Sequence, residues 1–172
     1  MTDLPSVPSL THVRADGSAH MVDVSSKSVT ARRATARAVV TTRADVVRSV
    51  LDGALPKGEA VGTARIAGIM AAKQTATLIP LCHPLPLAAV EIDITGADDA
   101  LTVVATVSTT AVTGVEMEAL TAATVSALTL YDMIKAVDKL ATIGEISVVA
   151  KSGGKSGDWT RESALAERTG AA

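Results

Sequence analysis

A carboxylate and a lysine at helical spacing are the first candidates for chemistry. Asp132 and Lys135 are three residues apart and therefore share one face of a helix, with Lys139 about one turn further along. Two interpretations of the pair stay open. It is either an ion pair on a solvated helix surface, or a carboxylate that holds a lysine in a partly buried place, where desolvation tunes both groups for proton transfer.

Two glutamates, Glu116 and Glu118, stand near the start of the same helical segment. Glu118 precedes Asp132 by fourteen residues, which places it about 40° from the same helix face and about 21 Å away along the axis. A small substrate cannot contact both within one chain unless it is elongated, whereas a subunit boundary or a nucleotide-sized ligand could unite them. Acidic residues in a first turn also favour the helix dipole, so a purely structural role stays open.

Four lysines form a second group of candidates, because a lysine in a glycine-flanked loop is suited to meeting a phosphate or moving a proton. These lysines are Lys57, Lys73, Lys151 and Lys155. The alternative for each one is an ordinary solvated charge. The run Gly154-Lys155-Ser156 is not a P-loop, because Val149 stands where that motif requires glycine.

Cys82 and His83 lie in a proline-rich segment, residues 78–87, which can be neither helix nor central strand. Adjacent residues do not easily ligate one metal ion, and a single cysteine excludes both a disulfide framework and a cysteine-based zinc site. We therefore predict no metal site here. Taken alone, the residues favour a buried, hydrogen-bonded role for His83.

The predicted secondary structure that carries these residues follows the order strand, helices, hairpin, helix, strand along the chain. The predicted strands are 34–42, 88–95, 101–109 and 145–151, and the predicted helices are 43–52, with Thr42 as its N-cap, 61–75 and 114–140. Residues 96–99 carry a hairpin signal. This order predicts an α+β fold of the ferredoxin-like, split βαβ type, an antiparallel sheet with helices packed on one face.

The composition bounds the size and the core. A chain of 172 residues that is 48% hydrophobic but only 1% aromatic must build its core from Ala, Val, Leu and Ile. We expect a single domain over residues 10–158, with flexible tails at 1–9 and 159–172. Small side chains and an uncovered sheet face favour self-association, so we expect an oligomer with a site shared between subunits.

The net charge and the lengths of the apolar segments argue against nucleic-acid-binding and membrane-spanning proteins. A net charge of −2 and the scarcity of aromatic residues argue against nucleic-acid binding. The first residues show no signal peptide, and the longest uncharged run of the last helix, residues 119–131, is too short to span a membrane. We expect a soluble, cytoplasmic protein.

Longer motifs resemble those of the MoaC family in order along residues 10–159. They are residues 10–13, 20–27 and 64–73, LIPLCHPL at 78–85, TGVEMEALT at 113–121, residues 131–137, and KSGGKSG at 151–157. Members of this family are cyclic pyranopterin monophosphate synthases of molybdenum-cofactor biosynthesis. The resemblance implies a ferredoxin-like fold and a homo-hexamer, a trimer of dimers, with active sites between subunits.

The implied reaction uses a small molecule made from GTP by a radical SAM enzyme in the preceding step. That substrate, (8S)-3′,8-cyclo-7,8-dihydroguanosine 5′-triphosphate, is rearranged to cyclic pyranopterin monophosphate with release of pyrophosphate. The implied lyase needs acid–base chemistry and no redox cofactor, and Mg²⁺ is able to accompany the triphosphate.

The resemblance also implies roles for particular residues. The catalytic residues would be Asp132, Lys135 and Lys57. The substrate-binding residues would be Leu81, Cys82, His83, Glu116, Met117, Glu118 and Lys73. A competing hypothesis is a catalytically idle relative that only binds the nucleotide or a cofactor-assembly partner, and the intact Asp132 and Lys135 pair speaks against it.

Overall fold

An antiparallel sheet is the centre of the fold. The computed structural model describes residues 12–14, 16–155 and 157–169, which form five strands in the spatial order β2-β3-β1-β4-β5. The strands are β1 (Thr30–Thr41), β2 (Ala89–Ala97), β3 (Ala100–Ala111), β4 (Thr142–Ser152) and β5 (Trp159–Thr160). The first four strands have the order of a split βαβ sheet, and this confirms the predicted ferredoxin-like α+β fold.

Strict alternation along the two central strands gives the sheet one buried face. In β1 the even-numbered residues Ala34, Ala36, Ala38 and Val40 are buried, while its arginines at 33 and 37 face the other side. In β3 the odd-numbered residues from Leu101 to Val107 are likewise buried. Successive side chains of a strand point to opposite faces, so the small apolar residues collect on one side.

Helices cover the buried face. They are α1 (Ala44–Leu51), α2 (Ala60–Ala72), α3 (Thr75–Leu78), α4 (Glu116–Ile134) and α5 (Arg161–Thr169), of which α2 and α4 pack against each other over the sheet. Small residues allow this close approach: Ser126 of α4 lies beside α2, and its hydroxyl donates a 3.0 Å hydrogen bond to the Ala64 carbonyl oxygen. The core is therefore an alanine- and valine-rich layer between α4 and the sheet.

The last long helix is shorter than the sequence predicts. Helix α4 ends at Ile134, with Lys135 as its C-cap, instead of continuing to Leu140. Beyond the end of α4 the carboxylate of Asp138 accepts a 2.7 Å hydrogen bond from the Thr42 hydroxyl, which ties this segment to the start of α1. This contact is distant in sequence, which explains why the local pattern without Gly or Pro predicts helix here. The expected placement of Lys139 on the Asp132 helix face was therefore wrong.

Other boundaries differ by a few residues. The predicted helix 61–75 is divided into α2 and the short α3, and the hairpin between β2 and β3 is tighter than expected, with Asp98 and Asp99 as its turn. Residues 159–169, expected to be a tail, form β5 and α5. The N-terminal segment 1–9 lies outside the described residues, and no helix among those described is both long and apolar enough to cross a membrane.

Candidate active site

Three charged side chains meet at the C-terminal end of α4, and we call them the Asp132 cluster. Lys135 Nζ lies 2.6 Å from Asp132 Oδ1. Lys57 Nζ lies 3.0 Å from Asp132 Oδ2 and also donates a 2.7 Å hydrogen bond to the Asp132 carbonyl oxygen. The structure thus brings together all three residues expected to be catalytic, including one that is 75 positions away in sequence.

A tight turn holds Lys57 in the cluster. Leu55 is buried, and its carbonyl oxygen accepts a 2.9 Å hydrogen bond from the Gly58 N–H, which closes a turn with Pro56 and Lys57 at its two central positions. Proline is favoured at the first central position of such turns because its φ is already fixed. The anchored Leu55 therefore directs the lysine toward the end of α4.

Hydrogen bonds, more than burial, set the charges of the Asp132 cluster. Lys135 first and Lys57 second hold the pKa of the Asp132 carboxyl below its usual range, and Asp132 raises the pKa of Lys135. The side chains of Asp132 and Lys135 are each about half exposed in the single chain, at 53% and 52%. The cluster is consequently a carboxylate between ammonium groups at neutral pH, open on one side.

The other candidate residues surround a cavity of about 360 Å³ at the opposite end of α4, which we call the acidic cavity. Its lining includes Leu81, Cys82 and His83 from the proline-rich loop and Glu116, Met117 and Glu118 from the first turn of α4. The structure thus unites six of the seven residues expected to bind substrate. A cavity of this size is within the range that small molecules occupy.

Burial changes the acidity of two groups in this cavity. Glu118 is only 4% exposed, and burial raises the pKa of its carboxyl, with a further contribution from the charge of Glu116. Burial also raises the pKa of the Cys82 thiol, and the negative charge of Glu118 adds to this effect. Both shifts oppose ionisation of these two groups inside the cavity.

A backbone contact fixes the orientation of His83. Its Nε2 lies 2.9 Å from the Val22 carbonyl oxygen, and because a carbonyl can only accept, Nε2 carries the proton. Asp23 follows Val22 and accepts a 2.8 Å hydrogen bond from the Ser25 N–H, which shapes this part of the N-terminal segment. His83 Nδ1 is therefore free to accept a proton or a hydrogen bond when the ring is neutral.

Further residues before β1, in the proline-rich loop and just before α4 also line the acidic cavity and were not assigned to a site from sequence. They are His12, Val22, Val24, Lys27, Leu85, Thr113 and Gly114. Several belong to the motifs that carry the family resemblance. That resemblance is the only signal that could have found them, because their spacing alone predicts no shared site.

The remaining lysines take different positions. Lys151 Nζ lies 3.2 Å from Glu116 Oε1, at the edge of the acidic cavity. Lys73 is the exposed C-cap of α2 and is not part of the described lining of this cavity, so its role in substrate binding stays a prediction. Among the described residues no group of three or more His, Cys, Asp or Glu side chains could hold a metal ion.

The Asp132 cluster and the acidic cavity lie near opposite ends of one helix. Glu118 and Asp132 both belong to α4, and fourteen residues of helix span about 21 Å. Within one chain the two groups therefore cannot act on the same atoms of a small substrate. They either serve different purposes or meet across a boundary between two copies.

The fold and these two groups of residues define a ferredoxin-like α+β protein with an acid–base cluster at one end of α4 and a cavity of small-molecule size at the other. The chain belongs to the MoaC family, whose model matches residues 21–154.

Proteins similar to this chain share one name. The chain is 60% identical over 151 residues to a cyclic pyranopterin monophosphate synthase of Corynebacterium efficiens, covering 88% of this chain and 97% of that relative. Over 164 residues it is 56% identical to the synthase of a Nocardioides species, covering 94% and 99%. It is also 55% identical over 152 residues to "Cyclic pyranopterin monophosphate synthase 2" of Mycobacterium bovis, covering 88% and 91%.

Proposed function

We propose that this protein is a cyclic pyranopterin monophosphate synthase, a lyase of molybdenum-cofactor biosynthesis. It converts the cyclised dihydro-GTP described above to cyclic pyranopterin monophosphate and releases pyrophosphate. The observation that carries the proposal is the likeness to synthases over nearly the whole chain, at up to 60% identity among the relatives described. The meeting of Lys57, Asp132 and Lys135 supports it, because it supplies acid–base groups at one place.

The proposed reaction requires proton transfers and groups that compensate the negative charge of the substrate. Ring opening and rearrangement move protons between carbon, nitrogen and oxygen, and closure of the cyclic phosphate expels pyrophosphate. Asp132 exchanges protons with the substrate, while Lys57 and Lys135 keep it ionised and meet the phosphate charge. Substrate that covers the half-exposed cluster would exclude water and strengthen each of these interactions. These steps require no redox cofactor, and Mg²⁺ could travel with the triphosphate.

The site forms between two copies of the chain. One copy contributes the Asp132 cluster and the other contributes the acidic cavity, where Glu116 and Glu118 are suited to the N–H donors of a guanine-derived ring. The distance along α4 supports this arrangement, because it prevents one chain from presenting both groups to the same substrate. The assembly is a homo-hexamer, a trimer of dimers. It is located in the cytoplasm, where a radical SAM enzyme supplies the substrate.

The test is pyrophosphate release by the purified protein, with substrate generated in situ by the radical enzyme. Release by the wild type and its loss in Asp132→Asn and Lys135→Ala would support both the activity and the residues. An idle relative that only binds the nucleotide would bind substrate but release nothing. Absence of release from a folded, oligomeric wild type would therefore overturn the proposal.

A further inference from the structure

The proline-rich loop before β2 forms one wall of the acidic cavity through Leu81, Cys82 and His83. Prolines occupy positions 80, 84 and 86 of this loop. A proline has no N–H, so the backbone of this stretch can donate few hydrogen bonds and cannot pair with a neighbouring strand as a regular ladder. The position of the loop therefore depends on contacts that other parts of the chain make with it.

Thr109 of β3 makes such a contact. It is buried in the odd-numbered row of β3 that faces the core, and its hydroxyl donates a hydrogen bond to the Pro86 carbonyl oxygen. Two residues further along, the Ala88 N–H donates a 2.9 Å hydrogen bond to the Ser108 carbonyl oxygen. The end of the loop is thus attached to the sheet, and the donor that binds Pro86 is held in place by a strand.

The segment between this contact and the acidic cavity is stiff. The pyrrolidine rings fix φ at Pro84 and Pro86, and the residues before them, His83 and Leu85, are confined to extended conformations. Four successive residues therefore have few alternative backbone conformations. A displacement of Pro86 is passed on to His83 instead of being absorbed by the residues between them.

The rest of the loop is held by contacts of a different kind. At its start the Cys82 N–H donates a 3.1 Å hydrogen bond to the Ile79 carbonyl oxygen, which closes a turn within the loop itself. His83 Nε2 donates to the Val22 carbonyl oxygen, but the residues on either side of Val22 are exposed. Neither contact attaches the loop to the sheet. The bond from Thr109 is the one that connects the stiff segment to it.

The strand that carries Thr109 also leads into another wall of the cavity. From the end of β3 the chain continues through Thr113 to Glu118 in the first turn of α4, and both of these residues line the acidic cavity. The Thr109 hydroxyl therefore joins one wall of the cavity to the strand that continues into another.

We propose that Thr109 is a positioning residue for the acidic cavity. Its hydroxyl holds Pro86, the stiff segment carries that constraint to His83, and Cys82 and His83 are thereby kept at a fixed distance from Glu118. Thr109 does not belong to the described lining of this cavity, so it acts through the loop and not on a ligand. The benefit to substrate binding rests on the proposed function, whereas the effect on the loop rests on the structure alone.

The first test uses Cys82, the only cysteine of the chain, because its rate of alkylation by iodoacetamide reports on the loop without any substrate. Thr109→Val removes the hydroxyl and keeps the shape of the side chain. It should accelerate alkylation about fivefold, because one hydrogen bond less keeps the loop closed over the thiol. The rates are measured on purified oligomers, well below the Tm of every variant.

Two further variants separate the hydroxyl from other effects of substitution. Thr109→Ser keeps the donor and should react at nearly the wild-type rate. Thr106→Val is the matched control, since it removes a hydroxyl on the other face of the same strand, 3.0 Å from the Thr35 hydroxyl oxygen, and it should also leave the rate unchanged. No acceleration in Thr109→Val, or an equal acceleration in Thr109→Ser or Thr106→Val, would overturn the proposal.

Pro84→Ala tests the stiff segment without removing the Thr109 hydrogen bond. Alanine releases φ at position 84 and the restriction on His83, so a loop that is still bound at Pro86 gains freedom at Cys82. Alkylation of Cys82 should become severalfold faster. An unchanged rate would show that the segment does not transmit the constraint, and it would overturn the proposal even if Thr109→Val did not fold.

Steady-state kinetics test the consequence for the substrate. Thr109→Val should raise KM about tenfold and change kcat less, because the loop residues bind the substrate while the Asp132 cluster carries the proton transfers. A change in kcat alone would contradict a positioning role in binding. If the wild type showed no turnover but Thr109→Val accelerated the alkylation of Cys82, the proposed function alone would be overturned. Turnover by the wild type with unchanged alkylation and KM in Thr109→Val would overturn this inference alone.

Discussion

Asp132 accepts hydrogen bonds from two lysines that reach it by different routes. Lys135 is one helical turn away and its proximity follows from spacing, so it could be predicted from the sequence. Lys57 is 75 positions distant, and only its position in a turn anchored by Leu55 brings it there. No periodicity in the sequence encodes that contact, which is why only the family resemblance could assign Lys57 to the site.

We predict that Asp132→Asn abolishes most turnover with little effect on the fold. Loss of a positioned acid–base group lowers kcat by about 100-fold or more. Stability should change little, because an exposed ion pair contributes little to it. The measurements are steady-state pyrophosphate release and thermal unfolding.

Asp45→Asn is the matched control, because Asp45 forms a similarly exposed pair with Arg43, at 2.6 Å. It should retain wild-type turnover. Full activity in Asp132→Asn, or equal losses in both variants, would contradict the assignment of Asp132.

Glu118 should make stability depend on pH. Its pKa in the folded protein lies above the ordinary glutamate value of 4.5, so the native state binds more protons than the unfolded state above that pH. Stability is consequently lost as pH rises from about 4.5 through the folded-state pKa. Glu118→Gln removes this penalty and should raise Tm at pH 8 relative to wild type, with the difference shrinking toward pH 4.

The control for this experiment is Glu91→Gln at a side chain that is 67% exposed. Its Tm should stay close to that of the wild type, because an exposed ion pair contributes little to stability. If the Tm difference between Glu118→Gln and wild type did not change with pH, burial would not govern the charge of Glu118. Protein concentration must be held fixed, because association also shifts Tm.

At the scale of elements, Asp138 joins the end of α4 to the start of α1. Its carboxylate accepts hydrogen bonds from the Thr42 hydroxyl at 2.7 Å and from the Leu140 N–H at 2.9 Å, and these bonds hold its pKa below the usual range. The segment between Ile134 and Asp138 carries Lys135. The position of Lys135 thus depends on a contact between two elements that are distant in sequence.

We predict that Asp138→Asn lowers both stability and kcat. The amide keeps only one acceptor oxygen, so either the Leu140 N–H or the Arg43 N–H, which donates to the other carboxylate oxygen at 3.3 Å, loses its acceptor and α4 is free to shift at its end. A misplaced Lys135 should lower kcat by about tenfold or more while KM changes less. Urea unfolding and steady-state kinetics measure the two effects, with Asp93→Asn on an exposed strand position as control. A destabilised variant with unchanged kcat would limit Asp138 to a structural role.

The packing of α2 on α4 requires glycine at position 68. A methyl group on Gly68 would overlap Ser126 Oγ and Ile92 Cδ1 and come within 2.9 Å of the Ala122 carbonyl oxygen. Gly68→Ala should therefore destabilise the protein by about 1–3 kcal/mol through overpacking, despite the higher helix propensity of alanine. Denaturant unfolding tests this. Gly144→Ala, where no atom lies within 4 Å of an added methyl group, is the control and should change stability far less.

At the scale of the whole molecule, the fold was predictable from sequence because strand alternation and the order of elements are local signals. The end of α4 was not predictable, since it depends on the contact of Asp138 with Thr42. The secondary structure of residues 159–169 was not predictable either, since it depends on the pairing of β5 with β4. The types of residue in the candidate site were predictable from the sequence, but their positions in space were not. The Asp132 cluster and the acidic cavity lie about 21 Å apart on one helix, a distance that keeps them from acting on the same atoms of a small substrate within one chain.

If one synthase site draws on two copies of the chain, two variants that are inactive separately should restore activity when they are mixed. Asp132→Asn inactivates one half of the site and Glu118→Gln weakens the other, so each variant alone should release little pyrophosphate. Co-expressed with different tags and purified as mixed oligomers, they should recover about a quarter of wild-type activity, because random pairing restores both halves at about one site in four. Mixed oligomers that stay as inactive as the separate variants would show that the site does not combine residues of two copies.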